Sequence, residues 1–125
     1  LKESTMREVT VGRHTKVLCL DEPGAGGACH EYIILPIVAQ EAEGSAVDFG
    51  TVSFQNGAIK ESGVNGCLNE DLLAIVLDRL YGFQSGEFKC RENSEAIIHL
   101  EEVLHWLKHR TDERIKRGVE GTLVK

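Results

Sequence analysis

Apolar and polar residues alternate along the first half of the chain and recur at helical spacing along the second. From Val9 to about Leu20, "VTVGRHTKVLCL" partly alternates, the period of a half-buried strand. "DEPGAGGA" breaks the pattern with Pro23 and three glycines, which is loop chemistry. "HEYIILPIVAQ" resumes an extended run, with Pro36 predicting an edge or a bend. "EAEGS" turns the chain. "AVDFGTVSFQ" then alternates again, with Val47 and Phe49 inward, then Val52 and Phe54. A bulge at Gly50 would shift that alternation from odd to even positions. "NGAIKESGVNG" places two Asn-Gly turn signals around a short extended piece.

The period then changes. Asn69 is a plausible N-cap, Glu70 and Asp71 suit a first turn, and "LLAIVLDRL" supplies an almost wholly apolar body. Leu72, Leu73, Val76, Leu77 and Leu80 cover so wide a face that this helix should be heavily buried. Gly82 should end it. The connector "YGFQSGEFKCREN" holds Phe83 and Phe88 between glycines. A longer helix follows, starting near Asn93 or Ser94 and running toward Lys116. Its amphipathic stripe is Ile97, Leu100, Leu104 and Leu107, and Gly118 is a good C-terminal stop.

Strands followed by helices predict an α+β fold: a small N-terminal antiparallel β-sheet over 1–67 and a C-terminal antiparallel helical hairpin over 68–125. At 125 residues the chain is expected to be a single domain, small enough to gain from oligomerisation. No internal repeat or low-complexity segment is visible.

Composition narrows the function. The net charge of −6 argues against general binding of nucleic-acid polymers, which needs an electropositive face. The longest apolar-rich stretch, "YIILPI", is far too short to span a bilayer, so no membrane partner is expected. With no leader-like segment at the start of the sequence shown, a cytoplasmic location is the expectation. Four cysteines, at 19, 29, 67 and 90, fit neither C-x-x-C nor any zinc spacing, and buried free thiols are expected.

Most candidate chemistry is weak. "GAGGACHE" lacks the Lys and Ser/Thr of a phosphate loop and leads into a strand, so it is expected to be a flexible hairpin loop. Glu101, His105 and His109 share a helix face at i, i+4 and i+8, but the third drifts round the axis. A solvated polar face is favoured over a metal site there. No nucleophile elbow is present. No catalytic residue, metal or cofactor is assigned, and the protein is expected not to be an enzyme.

"RTDERIKRGVEGT", residues 110–122, is different. Arg110, Arg114 and Arg117 fall on one stripe of the helix, which continues the apolar face at Leu107. Guanidinium forks match phosphate oxygens bidentately. Gly118 and Gly121 would let backbone approach a ligand closely. The alternative is surface pairing with Asp112, Glu113 or Glu120. A phosphate-bearing ligand would also need a place for a base. Phe83 could stack on one or simply plug the hairpin, and Asn93 could read a base edge or cap the helix. An antiparallel hairpin puts the connector and the arginines at opposite ends, so one ligand touching both would lie between subunits.

The blocks "FQNGAIKESGVNG", "NEDLLAIVLDRLYGFQSG" and "RTDERIKRGVEGT" resemble the phage Thoeris anti-defence family, proteins that act as sponges for cyclic ADP-ribose isomers. The resemblance covers about the last 70 residues closely and "LDEPGAGGACHEYIILPI" more loosely. It implies a homo-oligomer, a dimer or dimer-based assembly, with two pockets per dimer where the sheet of one subunit meets helices of its partner. The ligand implied is a cyclic ADP-ribose isomer such as glycocyclic ADP-ribose, made by a TIR-domain protein of the host and held uncleaved. Related members also bind cyclic oligonucleotides in a separate pocket. Carried over by position, Phe83 would stack on the adenine, with Asn93 hydrogen-bonding nearby. Arg110 and Arg114 would neutralise the pyrophosphate, and Gly118 and Thr122 would close over it. Arg117 is expected to be structural. Gln55 and Asn56 are candidates for the sheet-side wall. Ala58 stands where the family pattern has proline.

Overall fold

The computed structural model describes residues 6–37 and 47–125. They form four strands, β1 (Arg7–Val11), β2 (Thr15–Cys19), β3 (Glu31–Pro36) and β4 (Gly50–Ser53). Three helices follow, α1 (Ile59–Ser62), α2 (Asn69–Gln84) and α3 (Arg91–Lys116). The α+β reading holds. The chain divides into two compact units, one ending at Gly66 and the other beginning at Cys67. That places the division one residue before the expected end of the sheet part.

In the first unit the strands form one antiparallel sheet in the order β1-β2-β3-β4. The run 9–20, expected to be one strand, is a hairpin. Gly12 interrupts it, its N–H donating to the Thr15 carbonyl at 2.8 Å, and Val11 then faces Lys16 across the pair. Pro36 closes β3, as its missing N–H requires. The "EAEGS" turn lies outside the described residues. The expected bulge at Gly50 is absent: Glu31 to Ile34 pair without a break with Ser53 to Gly50. The irregularity lies instead in β1, between Glu8 and Thr10. Consequently Val47 and Phe49 stay exposed, while Val52 and Phe54 are half-buried. Phe54 meets Tyr32 edge-on at 5.7 Å between ring centroids.

The segment between the two Asn-Gly pairs is helical rather than extended. α1 is a single turn, started by the Ala58 carbonyl accepting from Glu61 and Ser62. Ala58 is buried. Gly66 is required where it stands, because a Cβ there would lie 2.4 Å from the Phe54 carbonyl carbon. The loop expected to be flexible between β2 and β3 carries a 3-10 turn at Ala25–Gly27.

In the second unit α2 and α3 pack as the expected antiparallel hairpin. Leu68, not Asn69, is the N-cap position of α2. Its N–H donates to the Asp71 carboxylate at 2.8 Å, and the Asp71 N–H returns a bond to the Leu68 carbonyl. Gly82 does not stop the helix, which continues to Gln84. Gln84 holds that last turn against α3 by accepting from the Cys90 N–H and donating to Ser94 Oγ, both at 2.9 Å.

Heavy burial of α2 is not seen. Only Leu77 is fully buried in it, while Ile75 and Val76 face outward. A two-helix hairpin can cover one stripe of each helix and no more. α3 begins at Arg91, two residues before the expected start, with the Cys90 thiol accepting from the Asn93 N–H. All four cysteines are free, but only Cys19 is fully buried and Cys90 is exposed. Among the described residues, no helix is long and apolar enough to cross a membrane.

Candidate functional site

The two groups of residues singled out in the sequence occupy the two ends of α3. At the hairpin connection, Phe83 belongs to the last full turn of α2 rather than to a loop. Its ring is 38% exposed, and Arg79, one turn earlier, holds its guanidinium carbon 4.9 Å from the ring centroid. A cation over an aromatic face is attracted by the ring quadrupole, which fixes the ring while leaving its surroundings open. Asn93 is in the first turn of α3 and does not cap it. Its backbone N–H goes to Cys90, and its Nδ2 donates to the Phe88 carbonyl at 3.4 Å.

The other end is built around a glycine stop. Gly118 has φ of +74°, the left-handed conformation that ends many helices. Its N–H donates to the Ile115 carbonyl and that of Val119 to the Arg114 carbonyl, both at 3.0 Å. The chain reverses over the end of α3, and Arg114 secures it. This arginine is only 8% exposed. Nε donates to Glu120 Oε1 at 3.0 Å and Nη1 to the Val124 carbonyl at 2.7 Å. Nη2 donates to the carbonyls of Val119 and Thr122 at 2.9 and 3.0 Å. Four of the five guanidinium N–H groups are thus committed, and one on Nη1 is left. Thr122 also donates its hydroxyl to the Val119 carbonyl.

Arg110 differs completely. It is exposed, and among the described residues it makes no ion pair. Of the surface pairings weighed from the sequence, Arg114 takes Glu120, while Asp112 and Glu113 go to Lys108 and Lys116. Arg117 donates to the Lys125 carbonyl, a structural contact.

The structure therefore brings Phe83 and Asn93 to one end, and Arg110, Arg114, Gly118 and Thr122 to the other. The 17 residues from Asn93 to Arg110 run along one helix, so at ~1.5 Å per residue the groups are roughly 25 Å apart. No single small ligand touches both within one copy.

Gln55 and Asn56 are engaged in the turn itself. Gln55 donates to the carbonyls of Gly57 and Gly63 and accepts from the Asn65 N–H. The Asn56 backbone exchanges bonds with the Asn65 side chain at 2.8 and 2.7 Å. On α3, Trp106 meets His105 and His109 edge-on, at 5.5 and 5.7 Å between centroids. Glu101 on the same helix accepts from the Tyr81 hydroxyl of α2. That bond, aided by partial burial and the nearby negative charge, raises the Tyr81 phenol above its ordinary pKa. One partner went unnoticed in the sequence: Arg79 stands at i−4 from Phe83, a spacing that was legible.

The model of the Acb2/Tad1 hairpin domain matches residues 50–112, which is half of the chain and includes all of α2 and most of α3. The chain is also 41% identical to the Thoeris anti-defense 1 protein of Bacillus phage SBSphiJ7, over 92% of this chain and 94% of that protein. The family match includes Asn93 and Arg110. The chain belongs to the phage Thoeris anti-defense family built on the Acb2/Tad1 hairpin domain.

Proposed function

We propose that this protein is a phage inhibitor of bacterial Thoeris immunity that captures a cyclic ADP-ribose isomer and holds it without cleavage. The capture site lies between copies of the chain, in the host cytoplasm. The observation that carries this reading is the division of site chemistry between the two ends of α3. Phe83 and Asn93 lie toward the connector, and Arg110, which makes no ion pair among the described residues, lies toward the other end, too far away for one copy to use both. A second copy placed antiparallel would bring its Arg110 to the first copy's Phe83. Stacking supplies affinity for a base of any kind, and a guanidinium fork supplies it for a pyrophosphate.

In this arrangement Phe83 stacks on the adenine and Asn93 hydrogen-bonds at its edge. Arg110 meets the pyrophosphate with its whole fork. Arg114 adds charge and its one remaining N–H while it fixes the Gly118–Thr122 turn that closes the pocket. Enclosing base and phosphates together in a preformed site favours tight binding. No group in this set is placed to act as a general base, so the protein sequesters the signal and does not degrade it.

The test is to incubate the protein with a cyclic ADP-ribose isomer, remove free ligand, denature by heat and analyse what is released. Recovery of the intact isomer is expected, together with a raised melting temperature in its presence. Release of a hydrolysed product would make the protein an enzyme, and failure to retain any ligand would overturn the reading altogether.

A further inference from the structure

The junction of β2 and β3 gathers a set of donors that the capture site does not use. Cys19 ends β2, Asp21 follows it, and Cys29 and His30 lead into β3. Sγ of Cys19, a carboxylate oxygen of Asp21 and Sγ of Cys29 all lie within 4.8 Å of one another. Cys19 Sγ is 3.3 Å from the Asp21 carbonyl oxygen and 3.6 Å from Oδ1, and Cys29 Sγ is 3.5 Å from the same carbonyl.

A second observation lies at the edge of this cluster, beside Asp21. The His30 side chain is only 7% exposed, and its Nδ1 has no hydrogen-bond partner. A buried ring nitrogen left unpaired calls for an explanation. This one lies 3.9 Å from Asp21 Oδ2. Space beside it is kept open by Gly24, where a Cβ would come within 3.3 Å of Cε1 and 3.4 Å of Nδ1.

The surroundings suit a metal. Around tetrahedral zinc, with bonds of 2.0–2.3 Å, neighbouring ligand atoms are about 3.3–3.8 Å apart. The 3.6 Å from Cys19 Sγ to Asp21 Oδ1 falls in that range, and the 3.9 Å from His30 Nδ1 to the other carboxylate oxygen, Oδ2, lies just above it. His30 stands outside the three donors that lie within 4.8 Å of one another, so it completes the tetrahedron only by moving toward them. Backbone N–H groups of His30 and Glu31 donate to the Asp21 carboxylate at 3.0–3.1 Å and fix its orientation, the role outer partners play at metal sites. Two thiolates and a carboxylate around a divalent ion leave one net negative charge. Arg7, whose Nη2 is 3.9 Å from Cys29 Sγ, offsets it.

We propose that Cys19, Asp21, Cys29 and His30 form a structural zinc site that ties the glycine-rich loop 20–30 to the sheet. Two sulfur donors select zinc over magnesium or calcium, and four protein ligands make the site a closed, structural one. The spacing C-x-D-x7-C-H matches no common zinc signature, which is why the sequence alone gave no sign of it.

The full chain, purified without chelator from cells grown with added zinc, should carry about one zinc per chain by elemental analysis. The metal-free protein should take up cobalt with the intense thiolate-to-cobalt charge-transfer band and tetrahedral ligand-field bands. Cys29→Ser should weaken zinc binding at least tenfold and diminish the charge-transfer band, and His30→Ala should alter the ligand-field bands. Cys67→Ser should change neither. Absence of zinc together with no cobalt charge-transfer band would overturn the proposal. So would a Cys19–Cys29 disulfide, seen by intact mass in protein prepared without reductant, or unchanged zinc affinity in Cys29→Ser. None of these outcomes depends on ligand capture, so this site and the capture site stand or fall separately.

Discussion

Arg114 and Glu120 face each other across the helix stop at Gly118, joined at 3.0 Å from Nε to Oε1, with the arginine buried and the glutamate half-exposed. The same guanidinium binds three carbonyls of the reversed tail. Arg110, one turn earlier, has none of these ties. Two arginines of one stripe therefore have different work. Arg114→Ala should lower stability by about 2–3 kcal/mol, because charge-assisted bonds of a buried guanidinium to Glu120 and three tail carbonyls are lost. Arg110→Ala should stay within about 0.5 kcal/mol of the parent, as exposed substitutions do, yet lose ligand capture. Urea unfolding of both variants, read beside capture, separates the roles. Equal stability loss in the two would contradict this division.

The Phe83 ring and its guanidinium neighbour make a graded pair of tests. If Phe83 stacks on the adenine as proposed, Phe83→Ala removes roughly 1–3 kcal/mol, so capture should weaken about 5- to 150-fold. Arg79→Ala leaves the ring but frees it, a loss of about 0.5–1 kcal/mol that corresponds to a few-fold weakening. Calorimetric titration with the isomer would measure both. An Arg79 effect as large as that of Phe83 would show that the guanidinium touches the ligand itself.

Gly66 should be intolerant for a reason unrelated to any ligand. Its missing Cβ makes room for the Phe54–Gln55 peptide, which would otherwise be 2.4–2.7 Å away. Backbone cannot yield as a side-chain tip can, so Gly66→Ala should cost about 1–3 kcal/mol. The check is the urea midpoint, with Gly82→Ala as the contrast. A Cβ at Gly82 would meet nothing within 4 Å, and the residue lies inside α2, so alanine there should stabilise by about 0.5–1 kcal/mol.

Tyr81 and Glu101 give the hairpin a dependence on alkaline pH. The folded-state phenol is held above its ordinary value of 10.0 by its bond to Glu101. A pKa raised by folding contributes stability that is complete below the unfolded value and is lost as pH rises through the folded one. The parent should therefore lose this contribution above about pH 10. Tyr81→Phe should lack it at neutral pH and lose less on going alkaline. Parallel melting curves of the two from pH 8 to 11 would refute the coupling.

Much of the fold was legible because it rests on period. The β-then-α order, the two long helices and the stop at Gly118 follow from spacing and one glycine. Misjudged points are those where a partner distant in sequence decides. Gly12 split a strand that alternation alone made continuous. Gly82 failed to end α2 because Gln84 is bonded to Cys90 and Ser94. The arginine stripe and Glu120 as a pairing candidate were visible, but the commitment of Arg114 to the tail carbonyls was not, since the tail has no periodicity. His30 and the two cysteines come together only through the β2–β3 register, where Cys19 faces Tyr32.

α3 exceeds α2 by ten residues, so its last stretch of roughly 15 Å runs beyond the end of its partner helix. If Phe83 and Arg110 serve one ligand from two copies, the length of this rod is a gauge that sets the distance between subunits. It is also a screw: one residue inserted between Asn93 and Arg110 advances the arginine by about 1.5 Å and swings it by about 100°. Seven inserted residues would restore its bearing but shift it by about 10 Å. A pocket shared in that way would be tied to a whole number of residues between Asn93 and Arg110.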